Sequence, residues 1–108
     1  MMKLALNATG VIASLVLSHS ALAQSVDPSA GRRLAETTCS VCHQIDAASP
    51  QSPNSDAPSF VDISRMSSMT ELAIKVFLRT SHPTMPNFIL SPEEIDSVAA
   101  YVVSLAGK

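Results

Sequence analysis

The sequence predicts an all-α protein. Two segments open with residues that start helices, Asp27-Pro28 and Ser91-Pro92, and between them "TELAIKVFLRT" carries apolar residues at helical spacing. No stretch alternates apolar and polar residues over enough positions to make a strand. With 108 residues the chain holds one domain at most.

The elements follow in chain order. Met1–Ala23 reads as a secretory signal peptide: Lys3 gives a positive start, the middle is apolar through Leu17, and Ala21-Leu22-Ala23 is a small-x-small cleavage site. Asn7, Thr9 and Ser14 interrupt the apolar run, whereas a spanning helix needs about 20 mainly apolar residues. The expectation is therefore export to the periplasm, cleavage after Ala23 and a folded domain over 24–108.

Asp27 caps the first helix and Pro28 fits its first position, so the helix should run to about Cys39. The segment "QIDAASPQSPNSDAPSF" reads as a surface loop. For "TELAIKVFLRT", Ser68 and Glu71 have capping-box spacing, and Leu72 with Val76, beside Ala73 with Phe77, are expected to face the core. "SHPTMPNFIL" carries Pro83 and Pro86 and cannot be regular. In the last helix Ser91 is the cap and Glu94 closes a capping box. Ile95, Val98, Ala99, Val102 and Leu105 form its apolar stripe, and Gly107 is read as the stop.

Composition narrows the function. The formal net charge is −2, one unit more negative once Lys3 leaves, and no Lys/Arg run exists. Nucleic acid is thus not the expected partner. Three Phe, one Tyr and no Trp are little with which to build a core in a small exported domain. A disulfide between Cys39 and Cys42 would close too short a loop to help much.

Cys39-Ser40-Val41-Cys42-His43 admits three chemistries. A thioredoxin-type dithiol belongs in an α/β fold, and no strands are predicted. Zinc held by Cys39, Cys42, His43 and His82 would not have the usual two-pair spacing. Covalent haem attachment suits the motif best: two thiols form thioethers with the two vinyl groups and the following histidine becomes the proximal iron ligand. Haem also supplies the missing apolar body.

With these residues the chain resembles the small monohaem class I c-type cytochromes over nearly all of Gln24–Lys108. The resemblance rests on the Cys39–His43 motif, Gly31, Ala57-Pro58, Met85-Pro86 and the closing "LSPEEIDSVAAYVVSL". The early position of the motif separates the chain from the four-helix cytochromes c′. The resemblance implies N- and C-terminal helices packed together around one covalent haem c, with Gly31 where they meet and Tyr101 as the aromatic beside it. It implies Met85 as the sixth ligand, Met66 and Met69 lying too early, with His82 as the rival. It implies that the Pro58 carbonyl receives the His43 Nδ1–H. Many members bond a haem propionate through a Trp that this chain lacks; Arg65, Arg79 and Tyr101 are the candidates in its place.

The expected function is one-electron transfer on a His43/Met85-ligated haem between respiratory or dehydrogenase partners, which dock transiently. No small-molecule substrate is expected, and membrane contact comes only through partner complexes. The alternatives are a haem subunit of a larger oxidoreductase, or a ligand-binding or peroxidatic haem protein with an open or His-ligated sixth position.

Overall fold

The structure, a computed structural model, describes residues 26–47, 51–81 and 83–107. The expected signal peptide and His82 lie outside these residues. Among the described residues there are four α-helices and no strand: α1 (Pro28–Thr38), α2 (Phe60–Arg65), α3 (Glu71–Arg79) and α4 (Pro92–Ser104), the last followed by a 3-10 turn over Leu105–Gly107. None of these helices is long and apolar enough to cross a membrane.

The ends of α1 and α4 follow the sequence signals. Asp27 accepts the Ser29 backbone N–H at 2.9 Å. In α4 the capping box is complete: Ser91 Oγ accepts from Glu94 N at 3.2 Å, and Glu94 Oε2 accepts from Ser91 N at 2.8 Å. Gly107 does not act as a left-handed stop, since its φ is not positive; the chain tightens into the 3-10 turn instead.

α1 packs chiefly on α4, and Gly31 sets how closely. A Cβ there would overlap the Ser97 carbonyl and lie 2.8 Å from the Val98 nitrogen, so the two helices touch backbone to backbone. The core then combines Ala35, Ile45, Phe60 and Ile74 with Val98, Ala99, Tyr101, Val102 and Leu105 of the α4 stripe.

The sequence reading assigns no element to 61–67, and there the structure forms most of α2, which Ser59 caps by accepting from Asp62 N at 3.1 Å. Two expectations about α3 are corrected. The cap of α3 is Thr70, not Ser68: Thr70 Oγ1 accepts from Ala73 N at 3.1 Å. Met69 N bonds Met66 O in a turn that runs across Ser68, so the helix cannot start there. The rotation of α3 also differs. Ile74 is buried and Leu78 packs on the core, whereas Leu72 and Val76 are 69% and 52% exposed. Lys75, bridged to Glu71 at 2.9 Å and to Asp96 of α4 at 3.2 Å, ties the flank of the buried face of α3 to α4.

Candidate functional site

Immediately after α1 the chain turns tightly. Cys39 caps the helix, and Cys42 N and His43 N both bond Cys39 O, at 3.2 and 2.9 Å. The turn brings Cys39, Cys42 and His43 to one wall of a cavity of about 320 Å³, within the size range of small-ligand and cofactor sites. The loop residues Asn54, Asp56, Ala57 and Pro58 form a second wall. α2 contributes Phe60, Ile63 and Met66, and Met69 follows it. Ile74, Phe77 and Leu78 come from α3, Val98 and Val102 from α4, and Thr84-Met85-Pro86 from the loop between them. Among the described residues Asp56 is the one carboxylate on this largely apolar lining.

His43 Nδ1 lies 2.7 Å from the Pro58 carbonyl oxygen. A carbonyl only accepts, so Nδ1 carries the proton and Nε2 keeps its lone pair for a metal. The loop that brings Pro58 here is tied to the motif: Asn54 N bonds Cys42 O at 3.1 Å, Ser52 Oγ accepts from Gln44 N at 3.0 Å, and Phe60 N bonds Gln44 O at 2.9 Å. The Phe60 ring packs against the His43 ring, 5.5 Å between centroids.

Both cysteines are free thiols and half-buried. Burial pushes the Cys39 thiol up, which keeps it neutral in the folded chain. Among the described residues no three His, Cys, Asp or Glu side chains converge on a point that could hold a bare metal ion; the zinc alternative needs His82, which lies outside them. The donor set fits haem: two unpaired thiols two residues apart, an imidazole with Nε2 free, a thioether at Met85 and an apolar enclosure.

The structure thus brings Cys39, Cys42, His43, Pro58 and Met85 to a single cavity. Of the three candidates for binding a propionate, none is on its wall. Tyr101 is instead buried, its hydroxyl donating to the Ile45 carbonyl at 2.7 Å. Met66 and Met69, read as lying too early to ligate, and Phe77, expected on the core face, are wall residues too. Their spacing alone carries no sign of this, because a residue facing a bound group and one facing other side chains look alike in a periodic pattern.

The family model for cytochrome c matches residues 28–106. The chain is also 36% identical over 90 residues to a protein described as cytochrome c-552 from Bradyrhizobium diazoefficiens, an alignment covering 83% of this chain and 86% of that protein. No solved structure matches.

Proposed function

The chain belongs to the cytochrome c family as a small class I member that binds haem c, and from that premise we propose that it is a periplasmic one-electron carrier in which Cys39 and Cys42 bear the haem while His43 and Met85 ligate its iron. When bound, haem supplies an iron that gains and loses one electron.

The protein's own residues do the rest. Cys39 and Cys42 fix the group covalently at the end of α1. Pro58 holds the His43 tautomer and makes its imidazole a stronger donor. Met85 offers a neutral, soft sulfur, which favours the ferrous state and raises the potential. The apolar lining keeps water away, so little rearrangement accompanies the change of charge. With His43 and Met85 both holding the iron, no position would stay open for a substrate, which separates a carrier from an enzyme. Partners dock transiently, through a small surface. Export rests on the leader pattern of Met1–Ala23.

The observation that carries this reading is the 2.7 Å contact of His43 Nδ1 with the Pro58 carbonyl beside two free thiols. The test is an absorption spectrum of the oxidised and reduced protein with a pyridine haemochrome assay. Two thioethers and a sulfur–iron charge-transfer band in the ferric form are expected. Haem that extracts into acidified organic solvent would overturn covalent attachment. Absence of the charge-transfer band would overturn methionine ligation.

A further inference from the structure

We infer that Tyr101 is a positioning residue for the proximal histidine: from α4 it locks the Ile45 carbonyl and backs the Phe60 ring, and so holds the Pro58 carbonyl against His43 Nδ1. The inference rests on His43 being the iron's histidine ligand.

Two linked segments meet here. The first is His43-Gln44-Ile45, directly after the second cysteine. The second is Pro58-Ser59-Phe60, which enters α2. They are joined by two hydrogen bonds, His43 Nδ1 to Pro58 O at 2.7 Å and Phe60 N to Gln44 O at 2.9 Å. Neither bond reaches α4. Tyr101 belongs to α4, and it touches both segments. Its hydroxyl donates to Ile45 O at 2.7 Å, and its ring packs on Phe60 with centroids 6.3 Å apart. Phe60 in turn packs on the His43 ring at 5.5 Å.

The lock depends on burial. Ile45 and Tyr101 are 3% and 5% exposed, so water does not readily replace the hydroxyl at that carbonyl. On the outer side Asp46 Oδ1 lies 3.4 Å from the same hydroxyl and 3.3 Å from Arg32 Nε, which ties the arrangement to α1 as well. Removing only the hydroxyl keeps the ring and orphans the carbonyl. The His43–Ile45 segment then shifts against Pro58, the Nδ1–H···O bond weakens, and the imidazole becomes a poorer donor to the iron.

The experiment compares holoprotein of wild type, Tyr101→Phe and Ile95→Ala. Ile95 is buried near the start of α4, outside the cluster that holds Ile45, Phe60 and Tyr101 and off the cavity wall, so its truncation destabilises without touching the lock. In the ferrous protein, the NMR resonance of the His43 Nδ1 proton should move upfield in Tyr101→Phe, and its exchange with solvent should quicken on the order of five- to tenfold. The reduction potential should rise. Ile95→Ala should lower thermal stability and leave the resonance, the exchange rate and the potential at wild-type values. A Tyr101→Phe protein that is merely less stable, with the Nδ1 proton and the potential unmoved, overturns the inference. A wild-type protein in which the His43 ring protons lack the large haem ring-current shift overturns the ligand reading beneath it, before any variant is compared.

Discussion

The two sides of the cavity are held by different means. Around His43 the backbone is fixed by hydrogen bonds from several places: the end of α1, the loop at Ser52 and Asn54, the entry to α2, and Tyr101 on α4. The loop carrying Met85 makes a backbone bridge at Met85 itself and otherwise relies on fewer, more local devices. Pro83 and Pro86 restrict its backbone, Asn87 Nδ2 donates to Ser81 Oγ at 3.2 Å, and the capped start of α4 anchors its far end. The histidine side is built to keep one geometry. The methionine side is a stiffened loop that can yield when its ligand is removed. In such a protein the sulfur should be the exchangeable ligand and the histidine the permanent one.

The largest effect that tests this contrast comes from Met85→Ala. The ferric charge-transfer band should disappear, the potential should fall, and ferrous protein should take up CO readily, with the histidine signature intact. His82→Ala should do none of these. If the band survives Met85→Ala, or vanishes in Met66→Ala or Met69→Ala, a different sulfur from the cavity wall is the ligand and the contrast is misplaced. If only His82→Ala admits CO, the high-potential carrier role goes too.

Next in size is Gly31→Ala. The added methyl meets the Ser97 carbonyl, and backbone does not give way as a flexible side chain would. Overpacking of this kind costs about 3 kcal/mol, read from the denaturant midpoint of the holoprotein. Because α1 leads into Cys39, the strain should fall on the histidine side, while the ferrous protein still excludes CO. CO uptake without loss of stability would show that the helix crossing supports the methionine loop instead.

Smaller still is an alkaline effect on the histidine side. Burial pushes the Tyr101 phenol up, and the Asp46 carboxylate adds to this while Arg32 opposes it. The folded value therefore lies above the ordinary 10.0, and the fold favours the neutral phenol. Its contribution to stability is complete below pH 10 and declines as pH rises from there through the folded value. Denaturation midpoints measured from about pH 8 to about pH 11 should show this decline in the wild type and a shallower one in Tyr101→Phe. Tyr101 is the sole tyrosine, so phenol absorbance follows the same group directly.

The same contrast explains what could be read from the sequence. α1 and α4 announce themselves because their caps are local, set by Asp27-Pro28 and by Ser91 with Glu94. Cys39, Cys42 and His43 are legible because their spacing is itself the chemistry; Gly31 is legible only through the resemblance, since the close helix contact that excludes a side chain there is tertiary. α2 is six residues long, too short for a period to emerge, although Ser59-x-x-Asp62 holds a capping signal. α3 misleads for another reason. Phe77 faces a cavity, Leu72 and Val76 face outward, and the rotation is fixed by tertiary contacts that include Lys75–Asp96, a pairing between helices that no local pattern displays. The resemblance implies Tyr101 beside Gly31 and offers it as a propionate candidate, but its hydroxyl bond to a carbonyl 56 residues away has no local signal in the sequence.

The smallest expected effect sets one proline on each side against the other. Pro58→Ala leaves the carbonyl that His43 uses, because that atom belongs to the backbone. The bonds at Asn54, Gln44 and Phe60 still hold the segment, so the Nδ1 proton resonance should stay in place. Pro86→Ala acts where ring stiffness is one of the main restraints. Extra freedom in the unfolded chain should cost about 0.5 kcal/mol of stability. In the folded protein the loosened loop should release its sulfur more often, and ferrous protein should bind CO measurably faster than wild type while its spectrum stays unchanged. The order is what matters: Pro86→Ala should change ligand access and Pro58→Ala should not. If Pro58→Ala speeds CO binding as much as Pro86→Ala does, the histidine side is no more firmly built than the loop that faces it.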